Sequence, residues 1–165
     1  MRGSHVIAVA AILAMVACSK DSAATAAPSA ANASVAVSNA PQQEFQWGPA
    51  PAVFPPGAEM AVLEGDPSKA EPFTVRLRLP NGYKIPPHTH PTTENVTVLT
   101  GTFLAGMGIQ FDESTMQALG RDGFASIPAN HAHYAMARGA TVVQVHAIGP
   151  FALTYVNPAD NPAQR

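Results

Sequence analysis

The chain has few of the residues that would build a disulfide framework or a strongly charged surface. Cys18 is its only cysteine in 165 residues, so no disulfide can form within the chain and its hydrophobic core must hold the fold together. Charged residues make up only 12% of the sequence. Nine Lys and Arg against eleven Asp and Glu leave a formal net charge of −2, which provides no basic field for a polyanion. We therefore expect no nucleic-acid partner.

The apolar run near the start of the chain is too short to span a bilayer. Residues 6–17 fall well short of the roughly 20 apolar residues that a transmembrane helix needs. The run follows Arg2 and has the length typical of a secretory signal. Met15-Val16-Ala17 leads directly into Cys18 and resembles a bacterial lipobox, with Met where Leu is usual. In such a signal the cysteine is lipidated and becomes the mature N-terminus.

We therefore expect residues 1–18 to be a signal peptide. The protein would be exported to the periplasm and held at the membrane only by a lipid anchor on Cys18. The alternative is an ordinary secretory signal with an incidental thiol. Residues 19–43 are low-complexity Ala, Ser, Asn and Pro without an aromatic residue, so they cannot bury enough apolar surface to offset the entropy of ordering. We interpret them as a disordered, flexible linker.

The remaining sequence predicts a β domain over residues 44–157, followed by a C-terminal tail over 158–165. Sixteen Pro and twelve Gly argue against a helical bundle and for short strands joined by turns. Residues 73–79 alternate strictly, with Phe and aliphatic residues on one face and Thr and Arg on the other, which is typical of a half-buried strand. Predicted strands are 59–63, 73–79, 83–85, 94–99, 101–109, 124–127, 133–137, 141–146 and 152–156. A short helical turn is expected at 113–119, and the fold class is all-β: an antiparallel sandwich or barrel.

Three potential metal ligands lie within seven positions of this domain. His88 and His90 are two residues apart, so both imidazoles point to one face of an extended strand. A short turn after His90 would bring the Glu94 carboxylate back to the same point. Two imidazole nitrogens and one hard oxygen suit Fe, Mn, Ni, Cu or Zn.

The spacing of these residues resembles the first signature motif of the cupin superfamily. Gly82-x5-His88-x-His90-x3-Glu94-x6-Gly101 matches that motif without a mismatch. A second segment, Gly123-x4-Pro128-x-Asn130-x2-His133-x3-Ala137, is similar to the second cupin motif with changes: one residue fewer before the proline, Asn130 in place of Gly, and Ala137 in place of Asn. Asn tolerates left-handed backbone conformations, so Asn130 can make the same turn.

The resemblance implies a small jelly-roll β-barrel that holds one divalent transition metal. Its ligands would be His88, His90, Glu94 and His133, and one or two coordination positions would stay open for water, dioxygen or substrate. The resemblance also makes a homodimer the default expectation. We expect 73–79 to be an edge strand, which would benefit from being covered in this way.

Further residues are weaker candidates for a functional role. His146 and Tyr134 could act in catalysis as proton-transfer groups behind the metal ligands, although packing roles are commoner for both. His131 fits a loop or rim position. Arg76 and Arg78 share a strand face, which either binds a carboxylate or is simply solvated.

The cupin superfamily includes enzymes and binding modules, so several functions stay open. The first is a metal-dependent enzyme, most simply a dioxygenase, that acts on a small organic molecule. The second is a non-redox isomerase or lyase in which the metal acts as a Lewis acid. The third is a non-catalytic module that binds a metal or a small ligand.

Overall fold

The computed structural model describes residues 44–164, and strands are the main regular secondary structure of these residues. The predicted signal peptide and linker, residues 1–43, lie outside the described residues. The strands are β1 (Gly48–Pro49), β2 (Glu59–Glu64), β3 (Pro72–Leu79), β4 (Lys84–Thr89), β5 (Glu94–Met107), β6 (Gln117–Leu119), β7 (Phe124–Ile127), β8 (His133–Ile148) and β9 (Thr154–Tyr155). The all-β prediction is confirmed.

All strand pairs are antiparallel, and two long strands connect the two halves of the sheet. The first part of β8 pairs with β4, which pairs with β9, whereas its second part pairs with β3, which pairs with β2. Strand β5 lies on the other side of β8 along its whole length, and it pairs with β7 near its start and with β6 near its end. The sheet therefore curls around one apolar interior, as a jelly-roll barrel does.

Each of these long strands was predicted as two separate strands, and that prediction is wrong. Strand β5 continues through Gly101, and β8 continues through Gly139; both glycines have a φ of 76°. The pairing register between β5 and β8 shifts near Gly101 without interrupting the ladder. A side chain at Gly101 would come within 2.5 Å of the Ala140 carbonyl oxygen, so only glycine permits this close bend.

The core lies on the inner face of the curled sheet and follows the alternation seen in the sequence. On β3, the residues predicted to face inward are all buried: Phe73, Val75, Leu77 and Leu79. On β8, Val143 and Val145 are buried between the more exposed Val142, Gln144 and His146. Strand β3 lies between β2 and β8, so the suggestion that 73–79 is a sheet edge is wrong. The homodimer stays a prediction.

The segment between β5 and β7 contains less helix than expected. Only Glu113–Thr115 forms a 3-10 turn, whose N-cap Asp112 accepts a hydrogen bond from the Ser114 backbone N–H. Residues 117–119, predicted to extend this turn, instead form β6 against β5. Beyond β9, two further 3-10 turns span Pro158–Asp160 and Pro162–Gln164. Within residues 44–164, no helix has both the length and the hydropathy needed to cross a membrane.

Candidate metal centre

Three histidines, located on β4, directly after β4 and on β8, converge inside the barrel. His88 on β4 lies directly opposite His133 on β8 in the antiparallel register, so their side chains share a face. His90 follows one residue after β4 ends and is also buried. Each of the three offers one ring nitrogen, and these nitrogens lie within 4.8 Å of one another. The structure thus brings together the three histidines of the predicted ligand set.

A backbone carbonyl orients each of the three imidazoles. The ring Nδ1–H groups donate to the carbonyl oxygens of Pro86, Ala152 and His131, with Nδ1-to-oxygen distances of 2.7 Å from His88, 2.9 Å from His90 and 3.0 Å from His133. A carbonyl oxygen can only accept, so these contacts place the proton on Nδ1. The unprotonated Nε2 is then the nitrogen that remains to bind a metal.

Two of these nitrogens have no hydrogen-bond partner. His90 Nε2 and His133 Nε2 are buried and unsatisfied among the described residues. The Glu94 Oε2 atom lies 3.7 Å from His90 Nε2 and 3.4 Å from His133 Nε2, too far for good hydrogen bonds. A buried polar nitrogen without a partner is costly, and a divalent cation between these groups would satisfy both nitrogens and the carboxylate. The residues present therefore fit a metal ion.

Burial keeps at least two of the histidines in the neutral form that a metal requires. Burial, with further contributions from His133 and His90, lowers the pKa of His88 well below its usual value of 6.5. Burial also lowers the pKa of His90, although the nearby Glu94 carboxylate opposes this shift. Neutral imidazoles bind a cation without first releasing a proton.

A hydrogen bond at the Asn130 turn connects the segment that contains His133 to the segment that contains His90. Asn130 has a φ of 61°, the left-handed conformation expected of it at a position usually occupied by glycine. Its backbone N–H donates to the His90 carbonyl oxygen at 2.8 Å. This contact joins the loop before β8 to the end of β4, and it helps to place His133 beside His88.

The space beside the histidines is small and otherwise apolar. The cavity measures about 20 Å³, which is room for about one water molecule. Apart from His88, His90, Glu94 and His133, its walls are Phe54, Leu77, Leu79, Ile85, Val96, Phe103, Ala135, Val143, Val145 and Leu153. Among residues 44–164, no other titratable side chain lines this cavity.

Tyr134 lies on the opposite face of β8 from the metal ligands, so it does not reach the site. It follows His133 directly, and successive strand residues point to opposite faces. Its ring packs against Phe111, and its hydroxyl group donates to the Asp112 carbonyl oxygen at 3.2 Å and lies 2.9 Å from the Thr115 hydroxyl oxygen. The residue is buried beneath this loop, away from the histidine cavity.

His146 also lies on the outer face, which corrects its suggested role in the pocket. It is exposed, and its Nδ1 atom is 3.0 Å from the Thr74 hydroxyl oxygen. His131 is exposed in the loop before β8, as expected of a rim residue. Arg76 and Arg78 lie over the rings of Phe45 and Trp47 outside the barrel. Neither arginine lines the metal cavity.

The sequence interpretation missed the groups that orient the ligands. The Ala152 carbonyl oxygen comes from the loop before β9, and Phe151 beside it stacks on the His90 ring at 4.3 Å with an interplanar angle of 14°. Ala152 lies 62 residues after His90 in the chain. Both contacts therefore depend on how this distant loop folds back onto the site. No local sequence pattern indicates this return.

The curled antiparallel β-barrel of this chain is the cupin fold. The chain belongs to the family described as a domain of unknown function, DUF4437, whose model matches residues 37–161. A search of curated proteins finds no match.

Solved structures share the fold at low sequence identity. A candidate acetylacetone dioxygenase from Methylibium petroleiphilum is 22% identical with a TM-score of 0.56, over 72% of this chain and 79% of that one. The polyketide cyclase RemF from Streptomyces resistomycificus is 16% identical with a TM-score of 0.56, over 73% and 86% of the two chains. An RmlC-like cupin from Shewanella frigidimarina is 12% identical with a TM-score of 0.52, over 66% and 88%. At these identities the similarity establishes the fold alone.

Proposed function

We propose that this protein is a mononuclear metal enzyme that acts on a small organic molecule, with dioxygenase-type chemistry. One observation carries the proposal: His90 Nε2 and His133 Nε2 are buried, have no hydrogen-bond partner among residues 44–164, and face the Glu94 carboxylate. His88, His90, His133 and Glu94 would hold the ion. A divalent Fe, Mn, Ni, Cu or Zn ion suits such a mixed nitrogen and oxygen set, and a redox-active one would supply the chemistry of dioxygen.

The composition of the cavity favours redox chemistry over separate acid and base catalysis. Its titratable groups are the four proposed ligands, because His146 and Tyr134 both lie on the outer face. An isomerase or lyase usually moves a proton with a positioned side chain. Among the described residues that line this cavity, only Glu94 is both titratable and not a histidine ligand candidate.

The apolar residues that line the cavity would keep water away from the metal. Aliphatic and aromatic side chains surround the histidines and exclude bulk water. Exclusion of water strengthens electrostatic interactions inside the site and protects reactive species from side reactions. The neighbours with this fold include a candidate acetylacetone dioxygenase and a polyketide cyclase, and both names refer to small carbonyl compounds.

The test measures metal content and oxygen consumption in the full-length protein. Preparations loaded with Fe, Mn or Ni would be supplied with a panel of small diketones and diols while dissolved oxygen is recorded. We expect oxygen uptake that depends on both metal and substrate. Turnover without oxygen uptake would contradict the dioxygenase and favour an isomerase or lyase. Binding without turnover, seen as a substrate-dependent rise in melting temperature, would favour a non-catalytic module.

We further propose that the enzyme works in the periplasm, anchored by a lipid on Cys18. The lipobox-like Met15-Val16-Ala17 before this cysteine supports the proposal, as does the low-complexity stretch 19–43 that would act as a spacer. The Cys18→Ala variant should leave the membrane fraction and appear in the soluble fraction. Unchanged partitioning between membrane and soluble fractions would contradict the anchor.

A further inference from the structure

A second, much larger cavity opens at the rim of the barrel. It measures about 420 Å³, within the range of roughly 300 to 1,000 Å³ that is usual for small-molecule sites. Strands β6 and β7 form two of its walls, and both pair only with β5 among the described strands. Strands β6 and β7 are therefore not joined by strand pairing where this cavity lies. We call this cavity the rim groove.

The strand register places the rim groove beside the metal ligands. Met107, which lines the groove, lies directly opposite His133, and Ile127, which also lines it, lies directly opposite Glu94. Residues directly opposite each other in an antiparallel pair share a face, with Cβ atoms about 5 Å apart. The Glu94 side chain is also the most open of the four, at 11% exposed against 3% for His90 and 4% for His133. The rim groove therefore lies beside two of the proposed ligands, His133 and Glu94.

The walls of the rim groove are uncharged. Its described lining includes no Asp, Glu, Lys, Arg or His side chain. Met107 and Phe124 are 55% and 59% exposed, which is unusual for large apolar side chains. Thr115, Gln117 and Ser126 contribute the polar atoms. A charged ligand would lose its hydration here without finding an opposite charge, whereas an apolar one would cover exposed carbon.

We propose that the rim groove binds an uncharged, apolar arm of the substrate while the substrate's oxygen atoms reach the metal. This inference rests on the proposed function. The cavity at the histidines has room for about one water, so only the donor atoms of an organic substrate fit there. We place the rest of the molecule in the rim groove, because its walls are uncharged and it lies beside His133 and Glu94. The substrate is therefore a neutral oxygen chelator with a hydrophobic substituent, and not a small dicarboxylate.

The test compares probes that share a chelating group but differ in the arm. Acetylacetone has two methyl groups, 1-phenyl-1,3-butanedione has a phenyl arm on the same diketone, and malonate has two carboxylates. Calorimetric titration of the metal-loaded, full-length protein should show binding of the phenyl compound at least about tenfold tighter than acetylacetone, because more apolar surface is buried. Malonate should bind more weakly than both.

Variants then locate the arm. Ala105→Trp fills the groove, and it should reduce affinity for the phenyl compound at least about tenfold while leaving that for acetylacetone within about twofold. Met107→Trp, at an exposed position, tests the same point if Ala105→Trp does not fold. Val62→Trp places the same bulk on an exposed residue of β2 outside the groove, and it should change neither affinity.

Azide binding, measured in every preparation, reports on the metal alone. If azide binds normally but wild type binds both diketones equally, or if neither groove variant weakens the phenyl compound, the groove proposal is overturned and the metal site stands. If wild type binds no metal and no azide, the proposed function fails and the groove proposal fails with it.

Discussion

Strand β8 carries a histidine near each end, and the two lie in opposite environments. His133 is 3% exposed inside the barrel, where it lies against His88 and His90. His146 is exposed on the outer face of the same strand. His146 is 13 positions after His133, an odd number, so strand alternation places the two side chains on opposite faces.

The comparison shows that the hydrogen-bond partner matters as much as the residue type. His133 donates from Nδ1 to the carbonyl oxygen of His131, which can only accept, so its Nε2 is left free to bind a cation. The Nδ1 atom of His146 contacts the Thr74 hydroxyl group, which can donate or accept. That contact does not determine which nitrogen of His146 carries the proton. Only the inner histidine is prepared as a ligand.

The largest expected effect comes from replacing each of these histidines in turn. His133→Ala should lower metal affinity by at least about 100-fold, because removing a ligand costs no less than removing a group that supports one. His146→Ala should retain one metal per chain. Inductively coupled plasma mass spectrometry on dialysed protein measures both. Equal metal content in the two variants would contradict the distinction between the faces.

A second effect concerns pH and the protein without metal. The pKa values of His88 and His90 lie below 6.5 in the fold because of burial, whereas the unfolded chain gains protons as the pH falls through about 6.5. The unfolded state then binds more protons, so folding stability should be constant above this pH and decrease below it. The slope that each histidine contributes is at most about 1.4 kcal/mol per pH unit.

Urea unfolding of chelator-treated protein between pH 5 and 7.5 measures this slope. The His88→Gln variant removes one titrating group from the interior and should reduce the slope below pH 6.5. A variant with the wild-type slope would show that His88 does not stay neutral in the fold, and the contrast between inner and outer histidines would weaken.

Sequence spacing predicted the contents of the inner face well. The turn positions follow from residue type, because glycine and asparagine tolerate a positive φ. Gly82, Gly101 and Asn130 all have a positive φ in the structure. The alternation of Val143 and Val145 already indicates that His146 points outward, since these apolar residues occupy the intervening inner positions. That signal was present and could have excluded His146 from the pocket.

Other features depend on contacts between distant segments and leave no local pattern. Tyr134 resembles a site residue in sequence because it follows His133, yet its environment is created by the loop at Phe111 and Asp112. Strands β5 and β8 likewise stay continuous because they pair with each other across the sheet. In the sequence, Gly101 and Gly139 suggest that each strand ends there. The rim groove exists because β6 and β7 do not pair with each other, and only the fold reveals this.

A third prediction tests the outer face directly behind His133. A Cβ atom at Gly106 would collide with the ring of Tyr134, so Gly106→Ala should destabilise the protein by about 1 to 3 kcal/mol. Tyr134→Phe removes the hydroxyl contacts with Asp112 and Thr115 and should cost about 1 kcal/mol. Thermal unfolding measures both. Tyr134→Phe should keep its metal and its oxygen uptake, whereas loss of activity in a folded, metal-loaded variant would restore Tyr134 as a catalytic residue.

The smallest expected effect lies on the outer face of β3. The Arg78 Cζ atom lies 4.0 Å from the centroid of the Trp47 ring. Arg78 also forms an ion pair with Glu59, with 2.7 Å between Nη1 and Oε2. Both contacts are solvent-exposed, so each should contribute about 1 kcal/mol or less. A double-mutant cycle with Trp47→Leu and Arg78→Met should yield a coupling energy of about 0.5 kcal/mol, with metal content unchanged in all variants. Loss of metal in either variant would show that substitutions on the outer face affect the metal site. The inner and outer faces, which carry His133 and His146, could then not be treated as independent.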